Sequence, residues 1–243
     1  MVDLTDRQKA LLKAIIEQYI EKAEPVGSEI IERKHNLGVS PATIRNEMVK
    51  LTEAGFLKQP HTSAGRIPTS LGFRTYIQEL MKEKELPVSA EVSIKEKMWH
   101  GRYQHDLLLR EAVQALAERC CMLGLAIDDI NGQVYWAGAS RILDWPEFYD
   151  IDVTRFVLSL FDEKPTLQQI IGKAVGPDPM HILFGEDLGF ENLGSTGFVF
   201  TRYEIASGKG GVVGVIGPAR MNFALVLPYV KYVRNMIVEA SRI

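Results

Sequence analysis

Arg45, Asn46 and Lys50 fall within two helical turns of one another, with Ser40, Ala42 and Thr43 just ahead of them. These side chains can read and hold nucleic acid. An arginine can make a bidentate contact to guanine, and an asparagine the matching contact to adenine. Ser40 and Thr43 can reach a phosphate from a helix start, where the helix dipole also favours the anion. Lys50 and, farther on, Lys58 supply point charges for the same backbone. His61, Thr62, Ser63 and Arg66 form a small, hydroxyl-rich run that can follow a sugar–phosphate strand or enter a minor groove. Each has a plainer alternative: Arg45 paired with an acid such as Glu53, Asn46 merely solvated, and the 61–66 run a mobile polar loop.

Such chemistry needs a frame. Ile44, Met48 and Leu51 share one helical face, which must pack inward and leave Ala42, Thr43, Arg45, Asn46 and Lys50 wholly or partly outward. Ser40-Pro41 reads as N-cap and first helical residue, and Gly55 as the stop near Ala54. Upstream, Ser28 is expected to cap a short helix to about His35, with Ile30 and Ile31 inward. Asn36-Leu37-Gly38-Val39 reads as the tight turn between the two, Gly38 taking a positive φ without cost.

Farther upstream, Thr5 and Gln8 have capping-box spacing ahead of Leu11, Leu12, Ile15, Ile16, Tyr19 and Ile20. That helix should end at Glu24-Pro25. Capped helix, glycine turn and capped helix make a helix-turn-helix, whose second helix enters the DNA major groove. Phe56–Gln59 and Arg66–Thr69 read as two short strands, the wing of a winged helix. A helix is expected from Ser70 to about Lys84, with Phe73, Tyr76, Ile77 and Leu80 on one face.

Charge supports this placement. The 243 residues carry a net charge of −3, yet the stretch from Arg33 to Arg74 has seven cations against two acids, a local +5 that leaves −8 for the rest. One basic surface on an acidic body suits a DNA-binding module joined to a non-binding domain. No apolar run approaches the roughly 18 residues of a membrane span. Met1–Asp6 has neither the basic start nor the apolar stretch of a signal peptide, so a cytoplasmic protein is expected. The two cysteines, Cys120 and Cys121, are adjacent, which argues against a disulfide or a zinc site.

Leu86-Pro87-Val88-Ser89-Ala90 reads as the domain boundary. The expected division is residues 1–85 as the winged helix, 86–101 as a linker and 102–243 as a regulatory and dimerisation domain. In that last part, helices are expected at about Arg102–Cys121, Val153–Phe161, Leu167–Val175 and Met221–Ser241, the last kinked at Pro228. Strands are expected at Leu123–Ile127, Gln133–Ala137, His181–Phe184, Ser195–Tyr203 and Gly211–Ile216. The mixture predicts an α+β domain with an antiparallel sheet.

Several tempting signals point elsewhere less well. Gly208-Lys209-Gly210-Gly211 lacks the lysine-serine/threonine and following helix of a Walker loop, so a hairpin is the better reading than a nucleotide hydrolase. Arg220 could hold an anion, or hold the last helix against a neighbouring carboxylate. His100 and His105 are five apart, unlike a metal pair one turn apart, and no cysteine or clustered acid joins them. Ser195-Thr196-Gly197 and Asp128-Asp129 read as turn residues. No nucleophile, base and orienting acid come together, so no enzyme, cofactor or metal is expected.

The run PVGSEIIERKHNLGVSPATIRNEMVKLTEAGFLKQPHTSAGRIPTSLGFRTYI resembles the DNA-binding domain of the HrcA family of heat-inducible transcription repressors. GVVGVIGPARMNFALVLPYV is similar to that family's C-terminal signature, and Trp145-Pro146-Glu147-Phe148 to a further part of it. The resemblance implies a dimeric repressor of chaperone genes on an inverted-repeat operator in double-stranded DNA, released on heat stress. It also implies a GAF-like C-terminal domain with an inserted dimerisation domain, and the chaperonin as modulating partner. Between Ile127 and Gln133 this chain passes straight from strand to strand where family members carry more sequence. By fold analogy, the GAF-like part could instead sense a small molecule.

Overall fold

A computed structural model describes residues 3–35, 38–176, 178–205 and 208–242. Asn36 and Leu37 of the expected turn lie outside the described residues. The chain divides into two compact units between Lys82 and Glu83.

In the first unit, α1 (Asp6–Lys22) opens with the expected capping box: the Thr5 hydroxyl accepts from the Gln8 backbone, and the Gln8 side chain accepts from the Thr5 N–H. Leu11, Leu12, Ile15 and Ile16 bury its inner face. Next come α2 (Ser28–Lys34) and α3 (Pro41–Glu53). Ser28 does not cap α2. It is the first helical residue and is buried, and Gly27 holds the cap position without a side-chain bond. Ser40 does cap α3, accepting from Thr43 N at 3.3 Å.

The wing strands are shorter than expected, β1 (Leu57–Lys58) and β2 (Ile67–Pro68), paired antiparallel. Pro68 has no N–H to extend the ladder. Beyond them α4 (Ser70–Thr75) runs into a π-helical turn over Tyr76–Leu80, and Met81 is already extended. The helix therefore stops at Leu80, short of Lys84; of its expected apolar face Phe73 and Tyr76 are buried, and Ile77 and Leu80 half-buried.

In the second unit the expected linker at 86–101 is mostly a helix, α5 (Val88–His100), which buries Ala90, Ile94 and Met98. Pro87 sits at its N-cap, where a missing N–H costs nothing, and so starts the helix rather than breaking the chain. It packs on α6 (His105–Cys120) and on the last helix, α10 (Phe223–Ala240), which continues through Pro228.

Between them lie β3 (Leu123–Asp128), β4 (Val134–Ala137), α7 (Ile151–Ser159), α8 (Lys164–Gly172), β5 (Met180–Phe184), α9 (Gly185–Leu188), β6 (Thr196–Glu204) and β7 (Gly210–Pro218). The five strands form one antiparallel sheet in the order β4-β3-β7-β6-β5. Thr196 and Gly197, read both as turn residues and as the start of the expected Ser195–Tyr203 strand, open β6 opposite Pro218 and Gly217. The 210–214 glycines lie in β7: a Cβ on Gly214 would come within 2.1 Å of the Val199 carbonyl oxygen, so close sheet packing accounts for this glycine without a phosphate.

Two segments of the C-terminal signatures meet here. Arg220 is buried, and its Nε and Nη2 both donate to the carboxylate of Glu147, the second bond at 3.2 Å. Its guanidinium carbon lies 5.3 Å from the Trp145 ring. Of the two readings of Arg220, the structure selects the structural carboxylate partner.

Candidate nucleic-acid interface

Helix α3 reaches solvent along one stripe. Ile44, Glu47, Met48 and Leu51 are buried, and Ala42, Arg45, Asn46, Val49 and Lys50 are exposed. Among the described residues Arg45 has no ion pair, so the alternative pairing with Glu53 is not formed. Thr43 is half-buried and shares a 3.0 Å hydroxyl contact with Ser40.

The orientation of α3 is set by a residue that sequence reasoning passed over. Glu47 keeps 7% side-chain exposure and accepts from Arg7 at 3.4 Å, Gln8 at 3.0 Å and Lys50 at 3.0 Å. Arg7 and Gln8 belong to α1, so one carboxylate fixes the rotation of α3 against its neighbour. The Lys50 bond, followed by the Gln8 bond and the cations, holds the Glu47 carboxyl below the ordinary carboxylate range against an opposing cost of burial. Lys50 is thus partly engaged. An ammonium has three donors, so two are left for a phosphate.

The wing is tied to α3 and to the segment before α2. Arg66 exchanges two backbone bonds of 2.9 Å with Val26, and its Nε donates to Thr52 Oγ1 at 3.1 Å. Thr52 in turn donates to the Met48 carbonyl at 2.8 Å. Gln59 spans the tip, its amide nitrogen donating to the carbonyls of Thr62 and Ala64, both at 2.9 Å. His61 Nδ1 and Ser63 Oγ are 3.2 Å apart. Lys58, His61, Thr62 and Ser63 are exposed, while Arg66 is half-buried. The tip is therefore braced by named bonds.

Between α2, α3 and the wing lies an open cleft of about 810 Å³ whose lining includes Arg33, Arg45, Gln59, Thr62, Ser63 and Arg66. Three arginines, from α2, α3 and the wing, line one groove. Of the expected residues, Arg45, Thr62, Ser63 and Arg66 meet there; Ala42, Asn46 and Lys50 continue the exposed side of α3. Arg33 and Gln59 were missed. The positive charge of Arg33 was visible, but its place in the cleft depends on how α2 packs against α3.

In the second unit, a buried polar cluster also escaped the sequence reading. Asp128 ends β3 with its side chain wholly buried, and Oδ2 lies 3.4 Å from His105 Nε2. Neither atom has a hydrogen bond among the described residues. Both residues line a cleft of about 500 Å³ with Asp106, Asn131 and Ser241. Among the described residues no group of three potential ligands could hold a metal ion, and no helix is long and apolar enough to cross a membrane.

Comparison with known proteins agrees with this geometry. Residues 3–82 match a family model described as the winged helix-turn-helix transcription repressor, HrcA DNA-binding domain. Residues 66–227 match the model of the HrcA protein C-terminal domain. The chain belongs to the HrcA family.

Among HrcA relatives, the heat-inducible transcription repressor of Symbiobacterium thermophilum is 28% identical, with all of both chains covered. That of Acetivibrio thermocellus is also 28% identical, over 97% of this chain and 96% of the relative. The first alignment spans 342 positions for a chain of 243 residues, so at least 99 positions face no residue here. This member is short for its family. A crystal structure of a protein described only as hypothetical superposes with a TM-score of 0.80 at 20% identity, over 98% of each chain, and shares the α+β fold.

Proposed function

We propose that this HrcA-family chain is a heat-inducible transcription repressor that binds double-stranded DNA through α3 and the wing. One observation carries the reading: Arg33, Arg45 and Arg66 line one cleft beside the exposed face of α3. In this docking α3 lies in a major groove with Arg45 and Asn46 toward base edges. The adjoining sugar–phosphate strand passes Arg33 and Arg66 in the cleft, and Lys50, Lys58 and the Ser40 and Thr43 hydroxyls hold phosphates outside it. The tip at His61, Thr62 and Ser63 follows the backbone.

Two chains bind the halves of an inverted repeat, because linked half-sites hold far more strongly than one. Heat then releases the repressor by opening the dimer, and the genes controlled encode chaperones, with the chaperonin as modulator. We place the sequence missing relative to the family at the short Asp129–Gly132 turn between β3 and β4. Genome-wide mapping of bound sites tests the proposal. An inverted repeat upstream of chaperone genes is expected; bound sites with no shared repeat would refute it.

A second reading, a small-molecule sensor in the second unit, is favoured by the unbonded Asp128 Oδ2 in the 500 Å³ cleft. A ligand selective for the folded state raises its stability. Thermal-shift screening with amines and other hydrogen-bond donors, alongside an Asp128→Asn control, decides it. No shift with any compound removes the sensor reading.

A further inference from the structure

We infer that Val49 is a specificity-determining residue that recognises the C5-methyl group of thymine. The inference rests on the docking of α3 proposed above and adds a base to what that helix reads.

Val49 lies three residues from Asn46 and four from Arg45, so all three share one surface of α3. Ile44, Met48 and Leu51 occupy the opposite face at 1%, 4% and 0% exposure, whereas Val49 keeps 38%. A β-branched residue at an exposed helical position is a poorer helix former than alanine or lysine, so it gains little for the fold. A lone surface valine is ordinary elsewhere. Here it stands between the two side chains best suited to base edges, with Lys50 next to it in sequence.

The chemistry of the surroundings selects the occupant. Arg45 and Lys50 make the neighbourhood cationic, which suits a polyanion better than an apolar protein groove. In a major groove the apolar feature is the thymine methyl, and branched or methyl-bearing side chains pack against it. Arg45 and Asn46 then fix flanking positions by hydrogen bonds, while Val49 discriminates by shape. It separates thymine from cytosine, which lacks the methyl group.

The test uses the full chain and a half-site obtained by selection from randomised duplexes. Each thymine is replaced in turn by deoxyuridine, which removes only the methyl group, and binding is followed by fluorescence anisotropy. At one thymine per half-site, the replacement should weaken the native protein by about three- to fivefold, the scale of one buried methyl group. Val49→Ala, checked for native helicity, should bind thymine and deoxyuridine there equally well. Arg45→Ala should retain the methyl dependence. A half-site with no methyl-sensitive thymine, or an undiminished dependence in Val49→Ala, overturns the assignment while leaving the docking intact. A chain that selects no duplex at all overturns both.

Discussion

Val26 and Arg66 exchange a pair of backbone hydrogen bonds, each 2.9 Å, across forty residues of chain. The bridge joins the segment that enters α2 to the strand that closes the wing. It requires Gly65, where a Cβ would stand 2.5 Å from the Val26 carbonyl carbon and oxygen. Two stretches of family-like sequence, PVGS and AGRIP, thus meet as one contact, which sets the wing beside α3.

Gly65→Ala should force the two backbones apart. The steric cost is about 1–3 kcal/mol of stability, the scale of inserting a carbon into a packed site. Operator affinity should fall while base preference is kept, because α3 itself is not displaced. Urea midpoints and anisotropy titrations check this. A variant with native stability and affinity would show that the wing does not need the Val26 bridge.

Arg45 and Arg33 should fail differently. Arg45→Ala is expected to lose about 1–3 kcal/mol of operator binding and to relax preference at one base pair. Arg33→Ala should weaken all duplexes alike and reduce the slope of log affinity against log salt by about 1. Titrations from low to moderate salt on matched and mutated operators separate the two. Loss of base preference in the Arg33 variant would reverse their assigned roles.

Glu47 predicts a pH dependence. Its folded carboxyl titrates below the ordinary value, chiefly through the Lys50 bond. A depressed carboxylate contributes stability that is present above its unfolded pKa and lost as pH falls through the folded one. Chemical denaturation of the native protein should therefore show a decline on the acid side that is shallower in Glu47→Gln. Parallel acid limbs for the two proteins would count against Glu47 as the anchor of α3.

The frame of this site could be read from the chain because its signals are local. Thr5 with Gln8, Ser40 with Pro41, and Gly55 mark helix ends through bonds that span three or four residues. What was missed depends on distant partners. Glu47 looks like one more surface acid until Arg7 and Gln8 arrive from α1, and Ser28 looks like a cap until packing buries it. Helix α5 was hidden because Ala90, Ile94 and Met98 make a thin apolar face, and because Pro87 at a helix start also resembles a breaker. Asp128 resembled a turn residue, and its burial at the end of β3 beside His105 of α6 depends on contacts from distant parts of the chain.

Arg220 and Glu147 should behave as a coupled pair. Glu147→Ala removes the carboxylate to which the buried Arg220 guanidinium donates twice and is expected to cost about 3 kcal/mol, toward the lower end for a buried pair. Glu147 retains 15% side-chain exposure, which softens the loss. The double replacement Arg220→Met with Glu147→Leu should lose less than the single, since the buried cation is removed together with its carboxylate. Additive losses in a double-mutant cycle would refute the coupling.

The most direct measurement of the central claim is methylation interference on the selected operator. Dimethyl sulfate places a methyl group on guanine N7 in the major groove, where an arginine at the start of α3 would bond. The account predicts that methylation of one guanine in each half-site blocks the native protein and leaves Arg45→Ala, at higher protein concentration, indifferent. Tight binding with no N7 interference anywhere in the half-site would contradict it.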